Sequence, residues 1–171
     1  MEFFDVVHNR RSTRRFTDQP VKEDQLQQIL EAINASPSAG NMQAYEVYIV
    51  RDLQIRKDLA KASYDQEFIA QAPVVLVFCT HAELNQPRYG MRGINLYAVQ
   101  DATIACTIAA LAARSLELGS VWVGAFDEAS VHEIIGSPKG QTPVAMLPIG
   151  VPVKWPGARP RRPLAELVHE L

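Results

Sequence analysis

Cysteine is scarce in this sequence, and its two cysteines, Cys79 and Cys106, both lie in apolar surroundings. Neither belongs to a metal-ligand spacing, and two cysteines cannot form a disulfide framework. This usage suits a reducing compartment. Glu2 and Asp5 interrupt any apolar export signal at the N-terminus. We therefore expect a cytoplasmic protein with no bound metal.

Strong net charge and long apolar runs are also missing. The formal net charge is −2, which argues against nucleic acid as the main partner. The uncharged run between Asp101 and Arg114 is shorter than the roughly 20 apolar residues that a bilayer span requires. The sequence therefore predicts a protein that binds neither nucleic acid nor a membrane.

Several catalytic and cofactor-binding motifs are absent as well. No G-x-G-x-x-G follows a strand, and no G-x-x-x-x-G-K-S/T occurs, so the common dinucleotide and P-loop sites are excluded. Ser38 lies in S-P-S-A-G, where Ser36 replaces the first glycine of a nucleophile elbow. The four histidines are scattered along the chain. We predict no catalytic constellation of side chains.

The most informative stretch that is present runs from Ile94 to Leu118. It contains no proline or glycine and is rich in good helix formers, so it predicts one long helix with Gly119 at its C-cap. Apolar residues face every direction, which is typical of a buried helix. We expect this helix to be central to the fold and to pack against a partner subunit as well.

The remaining elements predict one domain covering residues 1–171. Helices are expected over residues 2–10, 22–36 and 128–135, with a further helix from Asp52 to about Ser63. Strands are expected over residues 45–50, 74–80, 120–126 and 143–150. Residues 81–92 have the composition of a loop. Strands that alternate with helices indicate an α/β or α+β sandwich with helices on both faces.

Two groups of arginines stand out against the neutral background. Arg10, Arg11, Arg14 and Arg15 lie near the N-terminus, and a second group lies in the Pro-rich tail. If the first helix continued, residues four apart would share a face. Several guanidinium groups within reach of one point would bind a phosphate. A solvated basic surface is an equally good explanation from spacing alone.

Two further segments could bind a small molecule. The loop Ser36–Gln43 offers hydroxyl and carboxamide groups for a polar heterocycle, although a turn with a helix cap explains it somewhat better. Residues 122–125 end a predicted buried strand in small residues, where backbone N–H groups could approach a flat ring.

Taken together, these motifs resemble the nitroreductase family of FMN-dependent oxidoreductases. The motifs, in chain order, are R-R-S-T-R-R-F at 10–16, S-P-S-A-G-N-M-Q at 36–43, L-Y-A-V-Q-D at 96–101, L-G-S-V-W-V-G-A-F-D-E at 118–128, and P-I-G-V-P with the following R-P-R-R-P-L. The resemblance covers essentially the whole chain. It implies an α+β three-layer sandwich, with a mixed, mainly antiparallel sheet and a C-terminal extension that reaches the partner subunit.

The resemblance also implies a homodimer with FMN at the subunit interface. Arg10, Ser12 and Arg14 match residues that hold the phosphate, the ribityl chain and the pyrimidine edge, with Arg11 beside them. Arg159 and Arg161 match the basic pair of the tail that completes the phosphate site. The other implied cofactor-binding residues are Pro37, Ser38, Asn41 and Gln43 from the partner subunit, Gln66 at the pyrimidine edge, and the backbone of Val123, Gly124 and Ala125 near flavin N5.

The activity implied by the resemblance is transfer of a hydride from NAD(P)H through FMN to a small flat aromatic acceptor, such as a nitroaromatic or a quinone, with ping-pong kinetics. The flavin would carry the chemistry, which fits the absence of catalytic side chains. Three alternatives remain open: a flavin-binding or sensing module, a relative that uses reduced flavin for dehalogenation or flavin fragmentation, and a structural dimer with a basic patch.

Overall fold

The computed structural model describes all residues from Met1 to Leu171, which form three layers. The helices are α1 (Phe3–Asn9), α2 (Glu23–Asn34), α3 (Leu53–Ala62), α4 (Phe68–Gln71), α5 (Ala82–Arg92), α6 (Ala98–Ser115) and α7 (Glu128–Ile135). The strands are β1 (Tyr45–Val50), β2 (Val74–Thr80), β3 (Gly119–Ser120) and β4 (Pro143–Gly150). They form one antiparallel sheet in the order β1-β2-β4-β3.

Strand β2 separates two hydrophobic cores. All of its residues are buried, as its continuous apolar sequence predicts for a strand covered on both faces. Leu76 and Phe78 point to the core formed with α2 and α6. Val75 and Val77 point to the core that includes residues of α3, α4 and α7. The helices therefore cover both faces, and the predicted α+β sandwich with a mainly antiparallel sheet is confirmed.

Most element boundaries follow the local sequence signals. Strands β1, β2 and β4 and helix α7 have the predicted bounds. In α2 the buried residues Leu26, Ile29 and Ile33 have the predicted helical spacing. The Asp52 carboxylate accepts the Ile55 N–H at 2.9 Å and caps α3.

The region around the central helix differs from its prediction. The segment predicted as a loop before it is helix α5, and a π-helical turn over Gly93–Tyr97 joins α5 to α6. Helix α6 ends at Ser115, and Glu117, with a φ of 60°, takes the left-handed position after it. Gly119 is therefore not a C-cap. It begins β3, where an added Cβ would lie 2.7 Å from Thr13 Cγ2.

The helical stretch from Ala82 to Ser115 is long and apolar enough to cross a bilayer by length and composition alone. A buried core helix has the same composition. Here α6 packs against α2, β2 and β4 and contributes Ala105, Cys106 and Ala109 to a core. Burial also raises the pKa of the Cys106 thiol, so this cysteine is a core residue rather than a reactive group.

Three further segments lie near the two arginine groups, and one of them, residues 120–126, differs from its prediction. Helix α1 stops at Asn9, so Arg10 and Arg14 do not share a helical face. The predicted strand over residues 120–126 is reduced to Gly119–Ser120 and one bridge between Val123 and Met146. The tail forms only a short 3-10 turn at Leu164–Glu166, and its apolar residues are exposed.

Candidate functional site

The two arginine clusters meet in one cavity of about 740 Å³. This volume lies within the range of about 300–1,000 Å³ that is typical of small-molecule sites. Its polar lining comes from both ends of the chain. The lining arginines are Arg10, Arg11, Arg14, Arg159 and Arg161, and Ser12 lies among them.

The extended backbone after α1 explains how the N-terminal residues reach the cavity. The Thr13 N–H donates to Ser120 O at 2.9 Å, which makes residues 12–13 an added edge beside β3. Alternate residues of an extended chain share a side. Arg10, Ser12 and Arg14 therefore line the cavity together, while Thr13 is buried on the opposite side. Arg11 departs from this alternation and also lines the cavity.

The start of the tail is fixed to the same segment. The Thr17 N–H donates to Val151 O at 2.9 Å, and the Val153 N–H donates to Arg15 O at 3.0 Å. The Arg114 guanidinium at the end of α6 stacks on the Trp155 ring, with 4.0 Å between Arg114 Cζ and the ring centroid. These contacts position the start of the tail so that Arg159 and Arg161 line the cavity of their own chain.

The arginines that line the cavity have no acidic partners. The ion pairs of the protein are Arg51–Glu23, His81–Glu46 and Arg162–Glu166, and none of them involves a cavity arginine. Burial, with the nearby charges of Arg161 and Arg11, lowers the pKa of Arg10. A site that concentrates positive charge without compensation is suited to a multiply charged anion. Arg11 is oriented locally, since it donates to His8 O at 2.6 Å.

A second group of predicted residues lies beside Arg14. The Arg14 guanidinium lies over the Phe68 ring, with 5.7 Å between Cζ and the ring centroid. Gln66, two residues before Phe68, donates its amide to Ala125 O at 3.0 Å. Gly124 and Ala125 are exposed, and their backbone N–H groups donate to no atom of the chain. The structure therefore offers free backbone donors next to the basic cavity.

The loop Ser36–Gln43 lies elsewhere in the same chain. Asp101, at the start of α6, accepts the Ala39 N–H at 2.8 Å and holds the loop there. The basic cavity lies beyond the other end of α6, where Gly119 contacts Thr13. The helix from Asp101 to Ser115 is about 21 Å long at about 1.5 Å per residue. The predicted residues of the loop are therefore not brought together with the arginines within one chain.

The loop has an unusual backbone that Asp101 organises. Gly40, Asn41 and Gln43 have φ angles of 55°, 60° and 48°, a region that is unfavourable for residues with a side chain. The Ser38 hydroxyl accepts the Gln43 N–H at 3.0 Å, and the Gln43 amide donates to Asn34. Asn41 and Pro37 are exposed.

Asp101 and its partner Asn85 are structurally important residues that the sequence interpretation missed. Asp101 is 1% exposed and accepts bonds from Ala39 N, Ala44 N and Asn85 Nδ2. One sequence signal could have identified Asp101. Asp101 is the last charge before a long uncharged segment, and a buried carboxylate requires several donors.

Comparisons with known proteins agree with this architecture. The profile described as the nitroreductase family matches residues 7–66 and 63–151. An FMN reductase (NAD(P)H) of Bacillus subtilis is 33% identical, over 99% of this chain and 73% of that protein. An oxygen-insensitive NADPH nitroreductase of Salmonella typhimurium is 31% identical, over 97% of this chain and 72% of that protein. The NADPH:FMN oxidoreductase from Vibrio harveyi, solved in complex with NAD+, superimposes with a TM-score of 0.90 at 28% identity, covering 98% of this chain and 76% of that one.

Proposed function

This chain belongs to the nitroreductase family, and on that premise we propose that it is an FMN-dependent oxidoreductase that uses NAD(P)H as its reductant. The bound flavin supplies the redox chemistry, accepting a hydride and passing it to a flat acceptor such as a nitroaromatic or a quinone. A single site that bound the reductant and the acceptor in turn would give ping-pong kinetics. The cytoplasm supplies the reductant.

The observation that carries this proposal is the convergence of uncompensated arginines from both chain ends in one cavity. A flavin mononucleotide has a dianionic phosphate at one end, and guanidinium groups bind phosphate oxygens in pairs. Gly124 and Ala125 have free backbone N–H groups that suit the polar edge of a flat ring. They lie near Arg14, because Gln66 donates to Ala125 O and the Arg14 guanidinium lies over the nearby Phe68 ring. The donor set therefore fits FMN, with Arg10, Arg159 and Arg161 on the phosphate.

We propose that a homodimer completes the site. The loop at Ser36–Gln43 lies far from the cavity in its own chain, so the partner subunit's loop is the copy that would cover the ring. The outward side of α6 is apolar, with Ile104, Ile108 and Leu111 only half-buried. Phe3, Phe4 and the tail residue Leu164 are exposed. Apolar surface of this extent is typical of an obligate interface.

A direct experiment is anaerobic reduction of the purified protein. We expect a yellow protein whose flavin absorbance bleaches with NADH or NADPH and returns when a nitroaromatic or quinone is added. A yellow protein that neither nucleotide bleaches would instead be a flavin-binding module. A colourless protein that takes up no added FMN would contradict the proposal and leave a structural dimer with a basic patch.

The phosphate assignment predicts the effect of removing one guanidinium. Arg10→Ala and Arg159→Ala should each weaken FMN binding by about 1.5–3 kcal/mol, the free energy of a charge-assisted hydrogen bond. Affinity for riboflavin, which has no phosphate, should change little. Both affinities can be measured by quenching of flavin fluorescence.

Arg51→Ala is a matched control for these variants. Arg51 is an exposed arginine that pairs with Glu23 outside the cavity, so its loss changes the net charge equally and should leave FMN affinity unchanged. If FMN affinity were unchanged in both cavity variants, the arginine clusters would be solvated surface and the phosphate assignment would be wrong.

A further inference from the structure

A second basic cluster lies outside the cavity, on α5 and the π-helical turn. Tyr89 and Tyr97 form an edge-to-face pair with ring centroids 5.0 Å apart. Each ring carries an arginine: Arg88 Cζ lies 5.3 Å from the Tyr89 centroid, and Arg92 Cζ lies 5.4 Å from the Tyr97 centroid. We name these four residues the Arg–Tyr cluster. It combines stacking surfaces with cations on one exposed face.

The charges of the Arg–Tyr cluster are not compensated by the protein. Both guanidinium groups are exposed, and neither takes part in an ion pair. Arg92 Nε donates to the Tyr97 hydroxyl at 3.0 Å, and Arg88 donates only to Gly40 O, at 3.4 Å. Most guanidinium N–H groups therefore remain free for an anion.

The Arg–Tyr cluster lies against the loop that the proposed function places over the partner subunit's flavin. A Cβ added at Gly40 would lie 2.7 Å from Arg88 Nη1 and would also collide with the Tyr89 hydroxyl. Asn85, one turn before Tyr89, donates to the same Asp101 carboxylate that holds the loop. The loop and the cluster are thus fixed to each other.

The backbone beneath the Arg–Tyr cluster is irregular. Gly90 has a φ of 55° and a ψ of −141°, and the π-helical turn follows at Gly93–Tyr97. Isolated π-helical turns occur frequently at functional sites. Here the kink and the π turn accompany a close approach of Tyr89 and Tyr97, whose ring centroids are 5.0 Å apart, whereas residues eight apart in a straight helix are separated by about 12 Å along its axis.

We propose that the Arg–Tyr cluster binds the phosphorylated adenosine half of the nicotinamide dinucleotide. This inference rests on the proposed function, because a nicotinamide that reacted with the bound flavin would place its pyrophosphate and adenosine outside the flavin site, near the covering loop. The guanidinium groups of Arg88 and Arg92 bind phosphate oxygens. The tyrosine rings provide an apolar, aromatic surface for the adenine. The phosphate is either the pyrophosphate or the 2′-phosphate of NADPH.

The test compares reductants that contain different parts of the dinucleotide. Bleaching of bound FMN is followed anaerobically against the concentration of NADPH, NADH and reduced nicotinamide mononucleotide, which lacks the adenosine half. In R88A/R92A we expect the concentration for half-maximal rate to rise about tenfold or more for a dinucleotide, the loss of at least one charge-assisted contact. The mononucleotide should react as before and FMN affinity should be unchanged in R92A alone, because Arg92 donates only to Tyr97 and makes no contact with the covering loop. R51A/K57A, which removes two exposed cations elsewhere, is the control.

A binding measurement makes the test independent of turnover. Calorimetric titration with adenosine 2′,5′-bisphosphate and with ADP should give binding to the unaltered dimer that R88A/R92A weakens. If the substitutions weaken only the binding of NADPH and of the bisphosphate, the Arg–Tyr cluster binds the 2′-phosphate. If they weaken the binding of NADH and ADP equally, the cluster binds the pyrophosphate. Unchanged constants for every probe, or equal loss with the mononucleotide, would overturn the inference. If neither nucleotide bleached FMN in the unaltered protein, the proposed function would be contradicted instead. The calorimetric titrations would still show whether the Arg–Tyr cluster binds the adenosine phosphates.

Discussion

Deletion of residues 157–171 is expected to abolish retention of FMN and to weaken the dimer. The deletion removes Arg159 and Arg161 from the cavity, and two charge-assisted contacts correspond to about 3–6 kcal/mol of binding free energy, or more than about a hundredfold in affinity. It also removes the exposed apolar residues Leu164, Leu167 and Val168, which we propose contact the partner. The measurement is FMN dissociation as a function of protein concentration.

The truncated chain should still fold. None of residues 157–171 belongs to either buried core, and the contacts of Val151, Val153 and Trp155 with the rest of the chain remain. R159A/R161A in the full-length chain separates the two roles of the tail, because it should lose FMN affinity and keep the apolar contacts. Equal FMN affinity in the truncated and full-length proteins would show that the tail only packs, and it would remove both arginines from the site.

Replacement of Asp101 is expected to have the second large effect. Asp101→Ala leaves two buried donors, Ala44 N and Asn85 Nδ2, and the half-buried Ala39 N without an acceptor. Each unsatisfied buried donor costs about 1–3 kcal/mol. We therefore expect a loss of about 3 kcal/mol or more in the free energy of unfolding, measured by urea denaturation. The loop should also lose its left-handed conformation, which would weaken FMN binding.

Asp101→Asn distinguishes a positioning role from general loss of stability. The carboxamide keeps one acceptor oxygen and the side-chain volume, so the fold should survive. The substitution also places an NH2 group against one of the backbone N–H donors that Asp101 accepts, so the loop should be displaced. We therefore expect a lower FMN affinity, with no change in helix content measured by circular dichroism. If Asp101→Asn bound FMN as tightly as the unaltered protein, Asp101 would not position the loop.

Elements whose sequence signals are local were predicted accurately. Strand β2 needs only a continuous apolar run, and its burial on both faces follows from that pattern. Helix α3 carries its own cap at Asp52, and helix α7 is capped by Asp127 and ends at the left-handed Gly136. In these cases the residues that determine the structure lie inside the element.

Elements that depend on distant contacts were predicted poorly. Pro87 and Gly90 gave α5 the composition of a loop, but Asn85 on that helix is held by Asp101 from a different part of the chain. Gly119 was interpreted as a helix cap, whereas the close approach of Thr13 is what requires a glycine there. A shared face for arginines four apart was expected only if the first helix continued, and the pairing of Thr13 with Ser120 that replaces the helix cannot be read from neighbouring residues.

For the candidate site, too, local sequence signals were predictive and distant contacts were not. Its arginines could be named from the sequence, because clustered cations of one type are visible as a pattern. Their convergence in one cavity required the tail to be fixed by the Arg114–Trp155 stack. The separation of the loop from the cavity along α6 could be seen only in the folded chain.

The central claim is that each FMN site combines the arginine cavity of one subunit with the loop of the other. Mixed dimers test it most directly. Two differently tagged chains, R10A/R161A and D101N, are coexpressed, and heterodimers are isolated by sequential affinity steps. Each homodimer should retain little FMN. In the heterodimer, one site receives both defects and the other receives none, so we expect one FMN for each heterodimer, bound with the affinity of the unaltered protein. If the heterodimer retained no more FMN than the two homodimers, the cavity and the loop would not belong to one shared site.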